Sequence, residues 1–328
     1  VLELMQKTNF DQTPGYGEDS YCAAAADKIR ALCDAPDAAV HFFVGATQAN
    51  LTVIDAALKP WQGVLCADSG HIHVHETGAV EAGHKCLALP NKNGKITARQ
   101  IRHAVEEHRA NASHEHEVQP GMVYISNPTE VGTLYTKAEL TDISAACYEL
   151  GLYLFVDGAR LAYALASPAN DVSLQDLAGL CDVFYIGGTK CGALFGEAVV
   201  IPKAGQIPHF FTIIKQHGAL LAKGRILGIQ FDVLFTEHLY EQIGKTAVAL
   251  AAKIQDTIKA AGIPLYLESP TNQVFCIMEN SRLKALGNEV EYSFWEKANE
   301  THTVIRFATS WATQEENVEK LCELLRRE

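Results

Sequence analysis

The feature that most constrains the fold is a repeated alternation of short apolar segments with helical patterns. Seven segments are apolar almost throughout, and they lie at 40–44, 63–68, 85–90, 121–126, 153–158, 183–188 and 197–202. Strands covered on both faces have this character, because neither face meets water. Helical patterns separate several of them, at 47–58, 97–109 and 137–150, and Thr97 is placed to cap the second helix. The order predicts a mainly parallel, seven-stranded α/β sheet flanked by helices, with right-handed crossovers.

The sequence changes character near residue 241. A long helical pattern covers 241–262, strand-like segments follow at 273–278 and 304–309, and an amphipathic helix pattern covers 313–327. Strands and helices in this order are typical of an α+β unit. We therefore expect a large α/β domain at 1–240 and a small C-terminal α+β domain at 241–328.

The composition narrows the class of partner. A net charge of −12 argues against a nucleic acid, which would require a basic surface. No run of about 18 apolar residues is present, so a membrane span is not expected. The nine cysteines form no C-x-x-C pair, and the first residues lack the pattern of a secretion signal. These observations predict a cytoplasmic protein.

Small residues and a hydroxyl group follow the first predicted strand. Gly45, Ala46 and Thr47 lead directly into a helical pattern. The first N–H groups of a helix have no partner within the helix, and the helix dipole is positive there, so this turn favours a phosphate. Many turns between a strand and a helix have a similar composition, so the pattern alone identifies no ligand.

Ionisable side chains follow three further predicted strands. His71 follows the second, Asp157 the fifth and Lys190 the sixth, and ligands bind at the carboxyl ends of strands in such sheets. Pyridoxal phosphate needs a lysine for its Schiff base, an acid at its pyridine nitrogen, a flat side chain over its ring and N–H groups at its phosphate. A lysine kept out of water near a cation also has a lowered pKa and is a better nucleophile. The pattern predicts a cofactor site, although Asp157 alone could also cap the next helix.

Five motifs carry a resemblance to a known family. They are "PGYGEDSY" (14–21), "GATQANL" (45–51), "GHIHVHETGA" (70–79), "YLFVDGARLAYAL" (153–165) and "FYIGGTKCGALFGEAVV" (184–200). In this order and spacing the chain resembles the threonine aldolase and β-eliminating lyase family of fold-type-I pyridoxal-phosphate enzymes, in the aspartate aminotransferase superfamily. The resemblance extends from about Tyr16 to "VIRFATSW" (304–311). It implies a PLP-dependent transferase-like fold and pyridoxal 5′-phosphate as the cofactor.

The resemblance also implies roles for individual residues. On this match Lys190 forms the Schiff base and Asp157 pairs with the pyridine nitrogen of the cofactor. Arg160, from "DGAR", and Arg306, from the small-domain strand, bind the substrate carboxylate, although either could instead pair with an acid. The resemblance assigns the cofactor phosphate to Gly45, Ala46 and Thr47. Thr189, beside Lys190, is a further candidate for the phosphate, with a simple turn residue as the alternative, and Tyr16 is a candidate for the substrate pocket, with an ordinary turn as the alternative.

The segment "DSGHIHVHETGA" places His71, His73 and His75 at alternate positions. In a strand these side chains would share one face and could bind zinc. The segment is not the H-E-x-x-H zinc motif, since position 79 is alanine. In the H-x-x-x-x-E-x-G pattern of the family, His71 stacks on the cofactor ring, Glu76 and Gly78 are in register, and His75 lines the substrate side-chain pocket. We therefore expect ring stacking rather than a metal at this segment, and His73 has no assigned role.

The family implies cleavage of a β-hydroxy-α-amino acid, of the threonine or allo-threonine type, to glycine and an aldehyde. One residue departs from the family pattern: a histidine near the substrate hydroxyl is replaced here by Glu130. A carboxylate, with an ordinary pKa of about 4.3, would need a raised pKa to act as the base near neutral pH. β-Elimination and transamination of a small amino acid therefore stay open. A non-catalytic binding protein of the same fold is a further alternative, and the intact lysine, aspartate and arginines argue against it.

Arg225 indicates that the chain assembles into a homo-oligomer. It lies in "KGRILG", and in the resembling family an arginine at this place reaches the phosphate that a neighbouring subunit binds. The active sites would then lie at subunit interfaces. We therefore expect a homodimer or a homotetramer.

Overall fold

Seven strands form one mixed sheet in the computed structural model, which describes residues 1–327. They are β1 (Ala39–Phe43), β2 (Gln62–Ala67), β3 (Cys86–Leu89), β4 (Gln119–Ser126), β5 (Tyr153–Asp157), β6 (Val183–Gly187) and β7 (Glu197–Ile201). The order across the sheet is β1-β7-β6-β5-β4-β2-β3, and β7 runs antiparallel to the other six strands. All seven predicted strands are confirmed, with bounds that agree to within two residues.

Helices cover both faces of this sheet. They are α1 (Leu2–Lys7), α2 (Ser20–Leu32), α3 (Ala46–Ala57), α4 (His71–Val74), α5 (Ala98–Ala110), α6 (Lys137–Leu150), α7 (Leu161–Leu165), α8 (Leu174–Leu180), α9 (Phe210–Gln216) and α10 (Arg225–Leu234). Alternate residues of each strand enter two separate apolar cores, one on each face, which explains why the strands are apolar throughout. The three predicted helices are α3, α5 and α6, and Thr97 caps α5 as predicted. Within residues 1–327, no helix combines the length and apolar character that crossing a bilayer requires.

A second sheet lies in the C-terminal part of the chain. It follows the long helix α11 (Leu239–Ala260) and consists of β8 (Leu265–Leu267), β9 (Gln273–Glu279), β10 (Ser293–Lys297) and β11 (His302–Ala308). All its pairings are antiparallel, in the order β10-β11-β9-β8. Helices α12 (Asn280–Leu286) and α13 (Glu315–Arg326) complete this part, whose core is separate from the other two. The domain boundary after residue 240 stays a prediction, and it falls within the first turn of α11.

The carboxyl ends of β1, β2, β4, β5 and β6 meet at one edge of the large sheet. Ser126 at the end of β4 is in register with Asp157 at the end of β5. Glu197, the first residue of the antiparallel β7, lies opposite Phe43 and Gly187, so its side chain belongs to the same edge. The fold therefore brings the loops that carry the predicted site residues together.

Helices α2 and α10 pack closely enough to exclude a side chain. A Cβ atom at Gly228 would lie 2.5 Å from the backbone nitrogen and 2.7 Å from the Cα of Cys22. Gly179 in α8 is different, because a Cβ atom there would have no neighbour within 4 Å. The two positions form a matched pair, one crowded by backbone and one open.

We expect Gly228→Ala to lower the free energy of unfolding by about 1–3 kcal/mol, because the backbone of α2 must shift. Gly179→Ala should raise the free energy of unfolding by about 0.5–1 kcal/mol, since alanine is the better helix former. Urea unfolding followed by circular dichroism measures both changes. Equal midpoints for the two variants would contradict the packing described for α2 and α10.

Candidate active site

A cavity of about 740 Å³ opens at the carboxyl edge of the large sheet and extends to the second sheet. A smaller cavity adjoins it and shares His71, Glu130, Arg160 and Lys190 with it. Small-molecule sites commonly enclose about 300–1,000 Å³, so the space suits a cofactor with a small substrate. The predicted site residues that line one or both cavities are Ala46, His71, His75, Glu130, Asp157, Arg160, Lys190 and Arg306.

Lys190 lies in the loop after β6, partly buried in this cleft. Burial lowers the pKa of its amine, and the nearby Arg160 guanidinium lowers it further. Glycines permit the loop, because a Cβ atom at Gly188 would lie 2.6 Å from the carbonyl oxygen of Gly196. The Gly188 N–H donates to the Glu197 carboxyl group at 3.0 Å, and burial raises the pKa of Glu197 to about 8. The loop therefore holds an amine with an increased neutral, nucleophilic fraction.

Asp157 is buried at the end of β5, and each of its oxygen atoms accepts a hydrogen bond. The N–H of Ala159 donates to Oδ1 at 2.9 Å, and the Tyr124 hydroxyl donates to Oδ2. The Tyr185 hydroxyl lies beside Asp157, and burial keeps its pKa well above 10, so it remains a donor. Among the described residues this hydroxyl has no hydrogen-bond partner. The pocket thus contains an aspartate in a fixed orientation and a donor that a ligand could satisfy.

His71 begins the helical turn α4, so the three alternate histidines do not share the face of a strand. The Nδ1 atom of His71 is 2.7 Å from the buried Glu76 carboxylate, to which Asn50 also donates at 2.7 Å. This chain of contacts fixes the plane of the imidazole ring over the cleft. The His75 ring lies between the rings of His71 and Trp295, at centroid distances of 5.6 and 6.3 Å. Burial, helped by His71, lowers the pKa of His75.

Glu130 lies in the loop after β4 with only 8% of its surface exposed. The backbone N–H of His71 and the hydroxyl of Ser126 both donate to its Oε1 atom, at 2.9 and 2.7 Å. Burial raises the pKa of Glu130, and this effect outweighs those two hydrogen bonds. The described side chains and backbone donate no hydrogen bond to its second oxygen, Oε2, so this atom is free to contact a ligand.

Two arginines face the cleft without an acidic partner. No ion pair within residues 1–327 includes Arg160 or Arg306. Arg306 donates instead to the amide oxygen of Gln273 at 3.1 Å, and its guanidinium lies 5.8 Å from the ring centre of Trp295. Burial, with Arg160 nearby, lowers the pKa of Arg306. Two guanidinium groups that share a cleft and lack a carboxylate are arranged to bind one from a ligand.

Among the described residues, eight buried side-chain atoms have no hydrogen-bond partner, and three of them belong to residues that line this cleft: Ser69, Tyr185 and Arg306. Two more, on Asn50 and Glu76, lie in the chain of contacts that holds the His71 ring. Buried polar groups in folded proteins are nearly always hydrogen-bonded, so such a cluster indicates a site built for a polar ligand.

The remaining predicted residues lie around or away from the cleft. Gly45 caps α3, whose first residue is Ala46, and Thr47 is exposed on its first turn. Thr189 accepts a hydrogen bond from the Gly196 N–H at 2.9 Å. Five of the predicted residues line neither cavity: Gly45, Thr47, Thr189, Tyr16 and Arg225. The ring of Tyr16 lies 3.9 Å from the Lys215 ammonium group, and Arg225 donates to the Thr8 hydroxyl at 3.1 Å. The roles of these five residues stay predictions, and the role of Arg225 would require a second copy of the chain.

Several cleft residues had no recognisable signal in the sequence. Tyr124 and Tyr185 lie within apolar strands, where an aromatic residue ordinarily indicates core packing. Gln273 is fully buried at the start of β9, and it bridges Arg306 to the backbone oxygen of Glu130, to which it donates at 3.3 Å. A polar residue as the first residue of an apolar strand was the only available signal for Gln273. Trp295 was missed because β10 itself was not predicted.

The chain matches the family model described as "Beta-eliminating lyase" over residues 1–281. Two relatives are named "Low specificity L-threonine aldolase". The one from Pseudomonas sp. (strain NCIMB 10558) is 33% identical, and the match covers 97% of this chain and 90% of the relative. The one from Pseudomonas aeruginosa is 31% identical, and the match covers 98% of this chain and 92% of the relative.

Solved structures agree with these sequence matches. A threonine aldolase structure from Leishmania major is 48% identical, with a TM-score of 0.96 over 99% of this chain and 94% of that one. An aspartate aminotransferase structure from Thermus thermophilus is 16% identical, with a TM-score of 0.70 over 99% of this chain and 86% of that one. At this low identity the similarity shows only that the two chains share a fold. The expected fold class and the resemblance drawn from the motifs are both confirmed. The chain belongs to the beta-eliminating lyase family.

Proposed function

We propose that this chain is a pyridoxal-phosphate-dependent lyase that cleaves a β-hydroxy-α-amino acid of the threonine type to glycine and an aldehyde. The observation that carries the proposal is the meeting of Lys190, two unpaired arginines and Glu130 in one cleft. The printed names of the two Pseudomonas relatives and of the Leishmania major structure support the same activity.

The cleft suits pyridoxal phosphate. Lys190 offers the amine, and Asp157 offers a carboxylate for the pyridine nitrogen. The unpartnered hydroxyl of Tyr185 offers a donor beside Asp157, and the start of α3 at Ala46 offers N–H groups for the phosphate. His71, held by Glu76, offers a flat ring. When bound, this cofactor supplies an electron sink for the pair released when a bond to Cα breaks.

The two arginines hold and orient the substrate. Arg160 follows β5 in the proposed large domain (1–240), and Arg306 lies on β11 in the proposed small domain (241–328). A carboxylate held by both guanidinium groups has little freedom to rotate, so the bond to be broken is kept in one direction. Gln273 supports this arrangement, because its side chain joins Arg306 to the backbone of the loop that carries Glu130.

Glu130 takes the role of the base. Its raised pKa brings the carboxylate closer to the range in which it can accept a proton near neutral pH. The two hydrogen bonds to Oε1 fix the group, and the free Oε2 atom accepts the proton of the substrate hydroxyl. Loss of that proton allows the hydroxyl oxygen to become the carbonyl oxygen of the aldehyde as the Cα–Cβ bond breaks.

The products distinguish this reaction from its alternatives. With L-threonine, L-allo-threonine or phenylserine, we expect glycine and the matching aldehyde in equal amounts, without ammonia or a keto acid. Lys190→Ala should give no product above background and should remain folded, since the side chain contributes little to the core. Quantitative amino-acid and aldehyde analysis checks the result. Ammonia with a keto acid would instead show β-elimination, and a keto acid that requires an amino acceptor would show transamination.

Glu130→Gln should lower kcat/KM for threonine by about 10²–10⁴, the usual contribution of a general base. The carboxylate is the active form, so wild-type activity should fall as pH decreases through the raised pKa of Glu130, and this acidic limb should vanish in the variant. Glu296 also lines the cleft, so Glu296→Gln is the control variant. It should retain the wild-type kcat/KM and the same fall of activity at low pH. An unchanged pH profile in Glu130→Gln would assign the base to another group.

We further propose a cytoplasmic homodimer or homotetramer in which Arg225 completes the phosphate site of a neighbouring subunit. The position of Arg225 outside the cleft of its own chain supports exchange between subunits. The nine cysteines are free thiols, which suits a reducing compartment.

Mixed assemblies test this exchange. Lys190→Ala and Arg225→Ala are expected to be weak or inactive separately. In a mixed dimer, one site has its own Lys190 and the arginine of its partner, so activity should reappear on co-expression. Activity of separately purified and co-expressed proteins provides the measurement. Failure of a verified mixed dimer to regain activity would place Arg225 within its own site, and full activity of Arg225→Ala alone would place it outside catalysis.

A further inference from the structure

His73, the histidine without an assigned role, belongs to a cluster outside the active-site cleft. The ligand atoms of His73, Glu81 and Cys86 all lie within 4.8 Å of one another, and within residues 1–327 they are the one such group of three potential metal ligands. The three residues come from α4, the turn after it and the start of β3. None of them lines the cavity that contains Lys190.

The donor set of this cluster suits a thiophilic divalent cation. An imidazole, a carboxylate and a thiolate are ligands of Zn²⁺, which often takes three protein ligands and a water molecule. The thiolate and the carboxylate would balance the charge of a divalent ion. Cys86 is 5% exposed and provides a buried anchor, while His73 and Glu81 lie at the surface, where a fourth position stays open to water.

The two surface residues of the cluster, His73 and Glu81, are available to bind a cation. Within the described chain, the side chains of His73 and Glu81 form no hydrogen bond and no ion pair with each other or with another residue. The ligand atoms of these two side chains nevertheless lie close to each other and to the thiol of Cys86. Ligands of a tetrahedral zinc ion lie roughly 3.3–3.8 Å apart, given bonds of about 2.0–2.3 Å. The ligand atoms of the cluster lie within 4.8 Å of one another, so they must approach by at most about 1.5 Å to reach this spacing, and two of the three side chains are exposed.

We propose that His73, Glu81 and Cys86 bind one Zn²⁺-like cation that fastens α4 to β3. The thiol of Cys86 already lies 3.9 Å from the backbone oxygen of Ile72 in α4. A bond from the same sulfur to a cation held by His73 replaces this weak contact with a strong one. Because α4 begins at His71, the cation acts as a structural clip two residues from the ring that faces the cleft.

Cobalt titration of the holoenzyme tests the site, after removal of adventitious metal with a chelator. We expect one Co²⁺ per chain, with ligand-field bands in the red part of the visible spectrum and a thiolate charge-transfer band, both displaced by Zn²⁺. The thermal midpoint should rise with Zn²⁺ concentration, because the cation binds the folded state. Absence of stoichiometric binding would overturn the proposal.

Variants assign the ligands. His73→Ala and Glu81→Gln change exposed residues and should fold, while weakening Co²⁺ binding by roughly 100-fold or more, beyond the 10–100-fold effect of losing a second-shell partner. Cys86→Ser should remove the charge-transfer band. His103→Ala changes an exposed histidine on α5 and is the matched control, which should bind as the wild type does. Binding that survives His73→Ala, or a cobalt spectrum without a thiolate band, would contradict the assignment.

Discussion

The close approach of the loops after β5 and β6 is the constraint on which the site depends. A Cβ atom at Gly158 would lie 2.0 Å from the carbonyl oxygen of Tyr185, and one at Gly187 would lie 2.4 Å from that of Ala159. Both obstacles are backbone, which cannot rotate away as a side chain can. The absence of side chains at these two positions therefore lets Asp157 and Lys190 reach one small cavity.

Uncompensated charge is the second property of the cleft. Arg160 and Arg306 have no acidic partner among the described residues, and burial lowers the pKa of Lys190 while it raises that of Glu130. The two guanidinium groups and the Lys190 ammonium group are unfavourable in an empty cleft and become favourable when a ligand supplies negative charge, whereas burial favours the neutral form of Glu130. A phosphate-bearing cofactor and a carboxylate-bearing substrate supply it. The electrostatics and the family assignment therefore lead to the same chemistry.

The sequence alone predicted those parts of the molecule whose signal is local. Continuous apolar runs predicted all seven strands of the large sheet, because each strand is buried on both faces. In contrast, β8 has three residues and β10 is largely exposed, so neither produced an apolar run. Lys190 and Asp157 were predicted from their places after strands, whereas Tyr185 and Gln273 act through contacts between distant segments. The α4 turn was missed because four residues carry too little periodicity to separate a helix from a strand.

The most direct measurement is to locate the amine that holds the cofactor. The purified holoenzyme is treated with borohydride, which fixes pyridoxal phosphate to the amine that carries it, and the labelled peptide is identified by mass spectrometry. We expect one label per chain, on Lys190 within the segment that follows β6. A label on another lysine, or a protein that retains no label, would contradict it.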